Sequence, residues 1–116
     1  MSSKISFEGI GEVVATFTCG KDVKAGQAVK LSGSGAVDKG AEGERFCGVA
    51  LTAADGYAAV QVGGLVEVAA DEGVTAGWNR LLANGTGGVK KDSASAPTGG
   101  DYLVVSVDSC TAVVRL

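Results

Sequence analysis

The chain has no histidine, one proline, one methionine, one tryptophan and, beside that tryptophan, only three phenylalanines and two tyrosines. Without histidine it lacks the side chain most often used for general acid–base work near neutral pH, and the usual base for a serine or cysteine nucleophile. The three cysteines, Cys19, Cys47 and Cys110, stand far apart with no C-x-x-C spacing. Zinc held by cysteine alone usually takes four thiolates, so these three read instead as small buried hydrophobes of a protein folded in a reducing compartment. No apolar run approaches the roughly 20 residues that span a bilayer, and the opening "MSSKISFEG" has no apolar signal core, which predicts no membrane partner and synthesis and folding in a cytosol. Charge of one sign is also scarce. Ten basic and thirteen acidic residues are mixed along the chain for a net charge of −3, and the largest basic cluster is the pair Lys90 and Lys91, so nucleic acid is not an expected partner.

What is abundant is small. Nineteen glycines, with seventeen alanines and seventeen valines, describe a sheet-rich chain with glycine turns. Its core is therefore thin. Ordering each residue's backbone costs roughly 1–2 kcal/mol, while apolar burial returns about 25 cal/mol per Å², so association into an oligomer, which buries more surface, is expected to widen a narrow margin.

The sequence also says one thing twice. "VKAGQAVKL" at residues 23–31 returns as "VTAGWNRLL" at residues 74–82, each copy followed by a small-residue turn and a valine. Extending outwards, "GEVVATFTCGKDV" lies over "VGGLVEVAADEGV", "GSGAV" over "GTGGV", "RFCGVAL" over "DYLVVSV" and "AAVQV" over "AVVRL". The added length of the second copy is assigned to the loop "KKDSASAPTGGD". The runs "EVVATFT", "QAVKL", "ERFCGVAL", "YAAVQV", "LVEVAA", "YLVVSV" and "TAVVRL" are short, valine-rich and bounded by glycine, aspartate or asparagine, which are strand signals; "DEGVTAG" has room for a short helical turn. The expectation is an all-β domain over residues 11–116, a small β-barrel or sandwich built from two related units of about fifty residues, 11–62 and 63–116, after an N-terminal arm of residues 1–10.

Chemistry-bearing patterns are few. Asp71 and Glu72 are adjacent acids in a glycine-flanked turn and read as a solvated edge. No serine sits in G-x-S-x-G, and "GSGAVD" and "GTGGVK" continue into neither a phosphate loop nor a helix, so they read as hairpin turns. No catalytic, cofactor-binding or metal-ligating residue is expected. Trp78 takes the place of Gln27 in the second copy and has two readings, completing the core or anchoring an interface. In the arm, Ile5 and Phe7 alternate in the strand sense beside Lys4. Such a segment can add itself as an edge strand to a neighbour, or cover an open end of its own barrel.

The order "FEGIGEVV", "GKDVKAGQAVKL", "FCGVALTAADGYAAVQVGGLVEV", "GVTAGWNRLLANGTGGVKK" resembles the small phage capsid cement, or head decoration, proteins. Their V-x-A-G-x-x-V element falls on residues 23–29, G-V-A-x-x-x-A-x-x-G on residues 48–56 and the alternating strand ending in G-x-V on residues 60–68. The resemblance implies an all-β fold, a homotrimer and a position on the outer surface of the virion, where the protein clamps neighbouring subunits of the major capsid protein lattice without enzymatic activity or cofactor. Lys4, Ile5, Phe7 and Trp78 are then the candidate contact residues. The alternative is a β-clip or barrel-type accessory binding module of an enzyme or carbohydrate-binding system, which "VKAGQAV" also resembles; no lysine has the tight-turn setting of a biotinyl or lipoyl carrier.

Overall fold

The structure, a computed structural model, describes residues 11–116. Ten strands alternate with short turns: β1 (Val13–Cys19), β2 (Ala28–Gly33), β3 (Ala36–Lys39), β4 (Gly48–Ala54), β5 (Tyr57–Gly63), β6 (Leu65–Ala69), β7 (Gly77–Ala83), β8 (Val89–Lys91), β9 (Gly100–Asp108) and β10 (Thr111–Arg115). No helix occurs among the described residues; the "DEGVTAG" segment forms a turn with no helical residue. The fold is all-β, and it is divided in two.

Strands β1–β5 close into a barrel in the order β1-β3-β2-β4-β5, and β6–β10 form a sheet in the order β6-β10-β9-β7-β8. Matching β1 to β6, β2 to β7 and so on gives the same ring. Each antiparallel pairing of the first unit has its counterpart in the second. Even the parallel closure recurs: β1 pairs β3 at Thr18↔Ala36 and Cys19↔Val37, while the second unit is joined across the same place by the single bridge Ala70↔Val89. Detail repeats too. Val23 and Val74 are both buried, and the glycines that follow them, Gly26 (φ 88°) and Gly77 (φ 112°), both take the left-handed conformation that admits the bend into the strand. The Cys19 amide donates to Gly56 O at 2.9 Å and its counterpart Ala70 to Cys110 O at 2.8 Å. At the tips of the β4–β5 and β9–β10 hairpins a non-glycine residue, Asp55 or Ser109, has positive φ, as a tight hairpin turn requires.

The pairing corrects the sequence alignment in two places. Leu31 faces Val37 as Ala83 faces Val89, so the added residue of the second copy lies at the start of β7, where Trp78 sits, and not after the strand. The hairpin registers then place Val49, Ala50 and bulged Leu51 over Leu103, Val104 and bulged Val105, two residues from the match of "RFCGVAL" with "DYLVVSV". Runs of small and apolar residues slide past one another without penalty in a string; in a sheet, a slip of one residue turns every side chain to the opposite face.

Two apolar clusters result. Val23, Val29, Val37, Ala50, Ala58 and Val60 fill the first barrel. The second cluster contains Val66, Val68, Val74, Leu81, Val89, Val104, Ala112 and Val114, but also Ala28, Phe46 and Val49 from the first unit. The units are therefore fused through the second core. Phe46 stacks on Tyr102 with ring centroids 4.9 Å apart and an interplanar angle of 19°. Of the three cysteines expected to be buried, Cys19 is half-buried and packs against the first cluster, whereas Cys47 and Cys110 are exposed, the latter because it stands in the β9–β10 turn.

Candidate interaction face

Cross-strand pairing aligns one side chain from each of four strands on the outside of the second unit. Trp78 is opposite Leu103, Leu103 opposite Arg115, and Arg115 opposite Leu65. Trp78 remains 66% exposed. The reading of Trp78 as a core residue is thereby overturned: the inserted residue at the strand start turns its indole outward, where Leu103 and Leu65 are only half-buried beside it. The Arg115 guanidinium lies 5.4 Å from the centre of the indole, a cation–π contact that at an exposed site contributes about 0.5–1 kcal/mol. Two residues along, Arg80 Nε approaches Asp101 Oδ1 at 3.6 Å, an exposed pair whose main effect is to neutralise charge next to the apolar row.

In the first unit the residues matching Leu103, Arg115 and Leu65 are Val49, Gln61 and Val14, and the β2 residue opposite Val49 is Ala28, although along β2 and β7 themselves Ala28 matches Arg80. Here Ala28 and Val49 are buried within the second unit's core, and Gln61 is only 2% exposed. Gln61 Nε2 donates to Gly63 O and Leu65 O, both at 2.9 Å, fastening the connection between the units. Around this row the β3–β4 loop reaches across to β7: Gly43 N donates to Ala83 O at 3.0 Å, and Ala83 N to Glu44 O at 2.9 Å. Ala28 N donates to Gly87 O at 2.8 Å, and Lys90 Nζ lies 3.2 Å from Glu42 Oε2. One face is thus covered by its neighbour, and its equivalent is left bare.

The β8–β9 loop, residues 92–99, stands where the β3–β4 loop, residues 40–47, stands in the first unit. Its exposed residues 93–98 are held by Asp92, whose carboxylate accepts from the amides of Ala94 (3.2 Å), Thr98 (2.7 Å) and Gly99 (2.8 Å). These backbone bonds, with Gly99 first, hold its pKa below the ordinary carboxylate range. An open cleft of about 550 Å³ runs between the units, lined by Asp22, Asp38 and Glu42 and by Lys30 and Lys39. Its charges are of both signs, and Lys30 is tied to Glu44 at 3.2 Å, so it offers no field of one sign to a charged ligand. Among the described residues no three His, Cys, Asp or Glu side chains are grouped as metal ligands. Asp71 and Glu72 are exposed, and Asp71 Oδ1 accepts from Asn84 Nδ2 at 2.8 Å.

Of the candidate contact residues, Lys4, Ile5 and Phe7 lie outside the described residues, and Trp78 forms part of the exposed row. Leu103, Arg115 and Leu65 escape a reading of the sequence because only strand register brings residues 65, 78, 103 and 115 together. The signal that was available is composition: Trp78 is the single tryptophan, and two of the three arginines, Arg80 and Arg115, flank it. Neither the models of known protein families nor the curated proteins contain a match to this chain.

Proposed function

We propose that this protein is a capsid decoration protein, which binds the outside of an assembled phage head, associates with itself as a homotrimer and stabilises contacts between major capsid subunits. The motif order at residues 23–29, 48–56 and 60–68 supports this reading. The observation that carries it is the row Trp78–Leu103–Arg115–Leu65 with its exposed tryptophan, in a chain whose first unit buries Ala28, Val49 and Gln61 of the comparable row. Tryptophan and arginine on a preorganised surface are the residues that dominate protein–protein contacts. Cosedimentation with expanded shells of the cognate major capsid protein tests it. The expected result is saturable recovery of the protein with the shells. Protein left in the supernatant at every ratio contradicts it.

A further inference from the structure

The covered face of the first unit shows what covers such a face. Its row and its β3–β4 loop sit on the β7–β8 end of the second unit, with Gly43 and Glu44 bonded to both sides of the Ala83 peptide. The position equivalent to Ala83 in the first unit is Leu31, since Leu31 faces Val37 across β2 and β3 as Ala83 faces Val89 across β7 and β8. Leu31 is 60% exposed. Pairing of β2 with β4 stops at Val29↔Gly48, so among the described residues the edge of β2 at Leu31 has no strand beside it. Among the described residues the chain therefore carries both halves of its internal contact a second time without an occupant: a row with its loop on the second unit, and a strand edge with an exposed leucine on the first.

We propose that these two surfaces meet between copies. The Trp78 row and the β8–β9 loop of one molecule dock on the Leu31 edge of the next, repeating head to tail the contact that joins the two units within a chain. The surfaces are compatible in charge. Residues 31–36 are uncharged, Lys30 is paired with Glu44, and Arg80 with Asp101. The Asp92 bonds hold the loop in one shape before docking, which lowers the ordering cost of the contact. A contact between unlike surfaces is heterologous, so it closes into a ring when its rotation allows. This inference concerns how copies meet and stands apart from shell binding, which cosedimentation reads separately.

Sedimentation velocity on Leu31→Asp and Trp78→Asp tests it. Both side chains are exposed, and circular dichroism establishes that each variant keeps its β spectrum; should Leu31→Asp lose it, Leu31→Ser takes its place. The wild type is expected to sediment as an oligomer and each variant alone as a monomer. Mixed together, the two variants should form a heterodimer, because the intact row of one meets the intact edge of the other. A wild type that stays monomeric up to roughly 1 mM, the weak end of specific association, overturns the proposal. So does a Leu31→Asp variant that assembles like the wild type. Two monomeric variants that fail to combine also overturn it, since that is the behaviour of a self-complementary interface.

Discussion

The two units share a ring of strands, yet one is closed and covered while the other is open and bare. The first barrel closes with two parallel pairs and buries its row of Ala28, Val49 and Gln61. The second closes with one bridge, admits Phe46, Ala28 and Val49 into its core, and exposes Trp78 in the equivalent row. The difference follows from the residue that ends each row. Opposite Val49 stands Ala28, whose amide bonds Gly87 O of the neighbouring unit; opposite Leu103 stands Trp78, which presents a large exposed apolar surface instead. Topology can be copied while the role of a face changes with a few side chains.

The largest effect is expected where the units are fused. Phe46→Ala removes the ring that stacks on Tyr102 inside the second core and should cost about 3–5 kcal/mol. Since that core draws on both units, urea unfolding of the wild type should show one transition by circular dichroism and by near-ultraviolet signals together. Two separated transitions would break the picture of a shared core.

Gly48→Ala comes next. A Cβ at Gly48 would collide with Gln61 O and lie 2.8 Å from Val60 Cγ1, both across the β4–β5 pair, whereas the second unit carries Tyr102 at the equivalent position. An expected loss of about 2–3 kcal/mol, read as a lower urea midpoint, measures how much tighter the first barrel is. A neutral outcome would mean that the two rings tolerate the same side chains.

Asp92 separates the two loops by pH. Its amide bonds favour the ionised carboxylate in the folded protein, so its folded pKa lies below its unfolded value of about 3.9. The stability it contributes is therefore complete above that unfolded value and declines as the pH falls toward the lower folded one. Asp92→Asn should lower stability at neutral pH and flatten the acid limb of the stability curve. The first unit, with Gly40 at the matching place, has no such dependence to lose. An acid limb unchanged in the variant would show that the loop is held by something else.

The smallest effect on stability belongs to Trp78→Ala, within about 0.5 kcal/mol because the side chain is exposed, while self-association should fall sharply. A large loss of stability would mean that the row belongs to the fold after all.

Much of this was legible in the order of residues. Alternating valine runs between glycines marked seven strands, and the recurrence of V-x-A-G marked the two units. Strands β3, β7 and β8 lie outside those runs: β7 is reached only through its V-x-A-G copy, and "AVDK" and "VKK" are too short and polar to stand out from the turns before them and form where β2 and β7 offer them an edge. Register was not legible either: the bulges at Leu51 and Val105 shift side chains between faces without any residue type that announces them. That uncertainty carried through to the face. Whether Trp78 points in or out depends on a single inserted residue, and so did the choice between core and interface.

Trp78 should be covered when copies assemble. Because it is the only tryptophan, the chain labelled with 5-fluorotryptophan has one fluorine resonance from this face. Recorded across a dilution series, that resonance should move from a solvent-exposed to a buried position with the same concentration dependence as the oligomer seen by sedimentation. A resonance that keeps its exposed position while the protein sediments as an oligomer would contradict the account.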